Sequence, residues 1–128
     1  MLVSLNRKHV KESESHSDVW TKIKLRLTED QINEVKTYLN NYVDELMNDP
    51  NRAKAVEVAW IIGNSNPWPE PFETNVYMIA AEQNFDVAGS MAGLFLWRVM
   101  GERPETWVFI KDESKQRPCM CYFLDNGN

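Results

Sequence analysis

The side chains that most often carry catalysis or bind metals are scarce in this chain. Its two histidines are His9 and His16, and both stand in a polar N-terminal segment. A serine or cysteine nucleophile usually needs a histidine base beside it, and zinc, iron and copper sites commonly use several histidine ligands. We expect neither histidine to lie in the folded body. The sequence therefore argues against a catalytic triad and against a bound metal or other cofactor.

The two cysteines form the pair Cys119 and Cys121, separated by one residue. In a β-strand, residues i and i+2 point to the same face, so both thiols would lie side by side. A thiolate metal site needs about four ligands, and redox pairs are normally separated by two residues at the start of a helix. We interpret the pair as two free, buried thiols, which are typical of a reducing, cytoplasmic compartment.

Acidic side chains are scattered rather than paired at a spacing that would bring two carboxylates together. No glycine-rich phosphate loop is present. If the protein were instead an enzyme or a small-molecule-binding α+β domain, its pocket would lie between sheet and helices. The polar groups available to such a pocket are Tyr77, Glu57, Arg98 and Tyr122.

The most informative segment for binding is the proline-rich run 67–73, in which Trp68 and Phe72 alternate with prolines. A large aromatic side chain on a stiff backbone loses little entropy on binding, which suits an interface anchor. We therefore predict a partner-binding site at Trp68, Glu70, Phe72 and Glu73, with an apolar centre and an acidic rim. The alternative is that both aromatic side chains pack into the protein's own core.

The composition fits one domain of 128 residues, 43% of them apolar, with a net charge of −5. An acidic chain is a poor general nucleic-acid binder, and no apolar stretch is long enough to span a membrane. Residues 1–18 lack apolar periodicity, so they predict a flexible N-terminal tail ahead of a single α+β domain over 19–128.

The first elements of that domain are predicted from two apolar patterns. Alternation over Trp20–Leu27 predicts a strand with a basic face of Lys22, Lys24 and Arg26. Thr28 then begins a capping box, and an apolar stripe predicts an amphipathic helix ending near Met47.

The middle of the chain is ambiguous. Residues 53–62 and 76–81 each fit a strand or a helix, and β-branched residues favour a strand for 53–62. The residues between them, 63–73, predict an extended loop.

Asp86 can cap a helix over 86–100 that is apolar almost all round, and Gly89 and Gly93 would allow another element to approach it closely. The segments 107–110 and 119–124 predict a hairpin with apolar residues on both faces. Such a surplus of apolar surface also predicts a two-fold homodimer through the hairpin.

The resulting order, β-α-β-β-α-β-β, predicts an α+β fold with an antiparallel sheet and two helices, similar to a split β-α-β motif. The alternative is a DNA-binding winged helix, with a helix-turn at 79–86, a second helix at 87–100 and a wing at 107–124. The start of that second helix lacks the Arg, Lys, Asn or Gln side chains that read bases.

These observations favour a small cytoplasmic binding protein that acts by protein–protein contact. An inhibitor, an immunity-type factor or a regulatory adaptor of a bacterium or phage would fit. The acidic face of the first predicted helix, with Glu34, Asp44 and Glu45, would suit a basic partner surface.

Overall fold

The computed structural model describes residues 1–6, 8–63, 67–112 and 119–125. Its elements, in chain order, are β1 (Leu2–Val3), α1 (Glu14–Arg26), α2 (Glu29–Asn48), β2 (Ala55–Glu57), α3 (Val58–Ile62), a π-helix (Phe72–Ala80), α4 (Phe85–Glu102), β3 (Trp107–Asp112) and β4 (Cys119–Leu124). The protein is therefore a mixed helix-and-sheet fold. Parts of the predicted loop, 64–66, and of the hairpin connection, 113–118, lie outside the described residues.

The four strands form one mixed sheet in the order β1-β3-β4-β2. The hairpin strands β3 and β4 pair antiparallel as predicted, from Trp107 opposite Leu124 to Asp112 opposite Cys119. β2 joins β4 antiparallel, but β1 joins β3 in parallel. The fully antiparallel sheet in the predicted order is therefore wrong.

The predicted strand at Trp20–Leu27 is wrong, because these residues belong to α1 and the junction after it. Trp20, Ile23 and Leu27 are buried at helical spacing, and the Trp20 ring meets Phe95 edge-on at 5.2 Å. Leu25, which strand alternation would bury beside Ile23, is 83% exposed. The apolar residues of this segment fit both the strand and the helical periodicity, and packing on α4 selects the helical one.

α2 confirms the helix predicted after Thr28. The Thr28 hydroxyl accepts a hydrogen bond from the Gln31 N–H, and the Gln31 side chain accepts one from the Thr28 N–H. The buried stripe consists of Val35, Leu39, Val43 and Leu46.

The two ambiguous stretches resolve differently. Only the first part of 53–62 is a strand, since β2 ends at Glu57 and α3 begins at once. The stretch 76–81 lies almost entirely in the π-helix rather than in a strand.

The N-terminal segment is built into the fold where the sequence predicts a flexible tail. Leu2 and Val3 are buried in β1, and Ser13 begins α1 by accepting a hydrogen bond from the His16 N–H. The Val10 N–H also returns to the Leu2 carbonyl at 3.0 Å. A two-residue strand is too short to show periodicity, so only its partner strand reveals it.

Removal of residues 1–17 should therefore lower the melting temperature by more than about 5 °C, on the order of 1 kcal/mol or more for a domain of this size. The deletion removes the β1 contacts and the Ser13 cap. Thermal unfolding followed by circular dichroism measures the change. Leu5→Ser, at a side chain that is largely exposed, is the control and should leave the melting temperature unchanged. A deletion variant with an unchanged melting temperature would support the prediction of a flexible tail.

α4 lies at the centre of the helical layer, in contact with α1, α2, α3 and the π-helix. Its other side meets the sheet, where the Trp97 and Phe109 rings are perpendicular at 4.9 Å. Its cap is Asn84, which accepts a hydrogen bond from the Val87 N–H, rather than the predicted Asp86.

Gly89 and Gly93 do not serve the close packing predicted for them. A methyl group added at either position would meet no atom within 4 Å apart from the adjoining residues and backbone of α4 itself. Glycine inside a helix is about 1 kcal/mol less favourable than alanine when packing is indifferent.

Gly93→Ala should accordingly stabilise the protein by up to about 1 kcal/mol, and Gly89→Ala by a similar amount. Urea unfolding gives the free-energy difference directly. Gly63→Ala is the contrasting control, because Gly63 has φ +84° and should lose stability on substitution. A loss of stability on replacing Gly93 would show that another element does approach this position too closely for a methyl group.

Candidate protein-binding surface

The predicted anchors Trp68 and Phe72 are core residues. Trp68 is 5% exposed, and its ring packs against Phe85 at 5.5 Å and Tyr77 at 6.2 Å. Phe72 is fully buried and meets Tyr38 of α2 edge-on at 5.8 Å. The hypothesis that these two side chains are exposed anchors is wrong, and the alternative of core packing describes them.

The two predicted acidic rim residues do not make a surface with these aromatic side chains. Glu70 is exposed, whereas Glu73 is half-buried and its Oε2 accepts a hydrogen bond from the Trp68 N–H at 3.2 Å. Contact between Glu70 and a partner stays a prediction. The proline-rich run 67–73 thus holds the start of the π-helix against α2 and α4.

The π-helix decides which of its apolar side chains face outward. Hydrogen bonds of the i→i+5 type, such as Ala81 N–H to the Val76 carbonyl, widen the turn to roughly 4.4 residues. Successive side chains are then about 82° apart instead of 100°. In an α-helix Ile79 would point between Phe72 and Asn75, both of which are buried. The wider turn moves Ile79 to the edge of the buried face, beyond Asn75, where it is 38% exposed.

Arg26 joins the end of the π-helix to the end of α1. Its Nη1 donates to the Ala80 carbonyl at 2.6 Å, and its Nη2 lies 3.1 Å from the Glu82 carboxylate. A carbonyl at a helix C-terminus has no partner within its own helix, so a cation there is favourable. The last turns of the two helices therefore lie side by side.

Exposed apolar side chains precede both partners of this hydrogen bond in the sequence. Leu25 on α1 is 83% exposed, and Met78 on the π-helix is 49% exposed, beside Ile79 in sequence. Lys22 and Lys24 are exposed on the same turns of α1. We call Leu25, Met78 and Ile79, with Lys22 and Lys24, the α1–π surface.

The turn that follows the π-helix is strained. Glu82 and Gln83 have φ of +52° and +64°, a conformation that is unfavourable for residues with a side chain. Hydrogen bonds from the Gln83 N–H to the Tyr77 carbonyl and from the Asn84 N–H to the Ala81 carbonyl hold it. Strained backbone and π-helical turns both concentrate at functional sites. These two features adjoin the α1–π surface.

Sequence reasoning missed this surface because it treated 20–27 as a strand. A signal was present, since Leu25 falls outside the helical stripe formed by Trp20, Ile23 and Leu27. Nothing in the sequence indicates the π-helical turn that exposes Ile79.

The four polar groups named for an enzymatic pocket are not brought together. Glu57 lies on the sheet face that carries Cys121, and Tyr122 occupies the opposite face, toward the helices. Tyr77 packs on Trp68, which contacts Phe85 at the start of α4, whereas Arg98 near the end of α4 pairs with Glu12 in the N-terminal segment. Burial raises the pKa of Tyr122, and nearby Cys121 adds to the shift, so its phenol stays protonated.

An open groove of about 220 Å³ lies between the N-terminal segment and α4. His9 lines it, and His16 packs on Trp97 at 5.9 Å, so both histidines lie against the folded body and not outside it. Arg98, also in its lining, pairs with Glu12 at 3.0 Å and stacks 4.2 Å from the Trp20 ring. The charges of Arg98 and Glu12 in the groove are thus used by the fold itself.

The cysteine region also serves internal contacts. Cys121 is half-buried, and its Sγ donates to the buried Glu57 carboxylate at 2.9 Å. The side chain of Cys119 lies outside the described residues. Among the side chains that the structure places, no group of three histidine, cysteine, aspartate or glutamate residues could hold a metal ion.

The winged-helix alternative conflicts with the position of α4. A recognition helix must leave one face free to enter the major groove. α4 instead buries residues along its whole length, from Ala88 to Met100.

Comparison with protein-family models, curated proteins and solved structures finds no match to this chain. Within the described parts of the chain, no helix is long and apolar enough to cross a membrane.

Because Trp68 and Phe72 are buried, replacing either with alanine should cost about 3–5 kcal/mol of unfolding free energy. Glu70→Ala is the matched control in the same segment and should stay within about 0.5 kcal/mol of wild type. Urea unfolding of the three variants decides the point. Near-wild-type stability of the Trp68 and Phe72 variants would contradict the core assignment.

Proposed function

We propose that this protein acts by binding another protein through the α1–π surface, as an inhibitor or regulatory adaptor and not as an enzyme. The observation that carries the proposal is the exposure of Leu25, Met78 and Ile79 on two helix ends that Arg26 holds together. Exposed apolar side chains grouped on one surface are typical of interaction sites.

The distribution of reactive groups supports the same proposal. Arg98 is paired with Glu12, Glu57 with Cys121, and the Tyr122 ring is buried in the core. Catalysis by acid and base requires such groups to converge on one substrate position. Their separate positions favour binding over catalysis.

The sheet offers a second apolar region, which the homodimer prediction concerns. Phe123 is 41% exposed on the face opposite the helices. Self-association through this face stays a prediction, and Phe123 supplies a control for the experiment on the α1–π surface.

The proposal is tested with the double variant Leu25→Gln, Met78→Gln, which replaces two exposed apolar side chains by good helix formers of similar length. Wild type, this variant and Phe123→Thr are immobilised at equal density and exposed to lysate of the source cells. A protein retained by wild type and by Phe123→Thr should bind the double variant at least about tenfold more weakly, as expected for loss of central apolar contacts.

Thermal unfolding of all three proteins serves as the folding control, and both variants should melt close to wild type. Equal retention by the double variant and wild type would overturn the proposal. Retention lost only in Phe123→Thr would move the binding site to the sheet.

A further inference from the structure

We propose that the α1–π surface selects a protein segment that combines apolar and acidic side chains. This inference rests on the proposed function and specifies its partner. It reverses the expectation, drawn from the acidic helix face, that the partner is basic.

The charge around the surface carries the inference. From Trp20 to Arg26, α1 has three cationic side chains and no anionic one, in a chain whose net charge is −5. Arg26 is already occupied by the Ala80 carbonyl and Glu82, whereas Lys22 and Lys24 extend from exposed positions. Glu82 pairs with Arg26, and Asp18 is exposed four residues before Lys22, so three cationic side chains stand against two anionic ones and the surface keeps a positive balance.

Position on the helix places one lysine directly beside the apolar centre. Lys22 precedes Leu25 by three residues, a spacing that puts two side chains on the same helix face. Carboxylates of a bound segment could therefore reach Lys22 while its apolar side chains cover Leu25. Such complementarity steers association and rejects partners of the wrong charge.

A protein segment fits better than an anionic membrane. A helix that lies on a membrane presents a continuous apolar face along its length. On α1, Trp20, Ile23 and Leu27 are turned into the core, and Leu25 is the large apolar side chain left exposed among 14–26. The apolar centre is a compact group on two helix ends.

The experiment uses two amphipathic helical peptides of about 14 residues, roughly four helical turns. Both carry leucine along one face, and the other face carries glutamate in one peptide and lysine in the other. Each is titrated into full-length, isotope-labelled protein at low salt, with amide chemical shifts as the readout. We expect the glutamate peptide to shift the amides of 22–26 and 78–79 and to bind at least about fivefold more tightly than the lysine peptide.

Two double variants with the same change in net charge separate the local rim from the total charge. Lys22→Ala with Lys24→Ala should remove the preference for the glutamate peptide. Lys8→Ala with Lys11→Ala, at exposed positions in the N-terminal segment, should retain it. Vesicles of phosphatidylcholine and phosphatidylserine are titrated in the same way and should leave these amides unshifted.

Equal binding of both peptides at 22–26 and 78–79 would overturn the charge selection and leave the protein-binding function standing. Absence of shifts with both peptides would also overturn the inference, while the capture experiment decides the function separately. Shifts produced by vesicles but not by the glutamate peptide would replace the protein segment by a membrane.

Discussion

The fold depends on the burial of α4. Its side chains are apolar on nearly every side, so its free energy is favourable only when other elements surround it. Four helical elements cover one side, and the sheet covers the other through Phe109 against Trp97. Trp20 on α1 shows the consequence, since its ring reaches Phe95 and draws a segment that alternates like a strand into a helix.

Enclosing α4 leaves apolar side chains elsewhere without cover. The π-helix turns Phe72 and Val76 into the core, and the same wide turn directs Met78 and Ile79 outward. Arg26 then fixes this exposed turn against the end of α1. The exposure of the apolar side chains in the proposed binding surface is therefore a consequence of the core packing.

Charged side chains link elements of the helical layer, and other charged side chains remain exposed on different helices. Arg103, at the end of α4, donates to Asp44 and Asn40 on α2 and to Glu105. Burial by itself would raise the pKa of Glu105, but the hydrogen bonds and charge of Arg103 lower it below its usual value. The acidic side chains of α2 are partly engaged in this way, whereas Lys22 and Lys24 extend from the exposed side of α1. The last turns of α1 are thus locally basic in a chain whose net charge is −5.

The sequence by itself determined α2, most of α4 and the β3–β4 pairing, because the capping box of α2 and the apolar patterns of all three admit one solution. It also showed how little catalytic chemistry the chain offers. Only the tertiary structure decided α1, whose letters fit both helical and strand periods, and β1, which is too short to have a period. It also decided the burial of Trp68 and Phe72 and the exposure of Leu25 and Ile79. These outcomes depend on contacts between residues distant in the chain, since a local pattern states which side chains are apolar but not which surface will cover them.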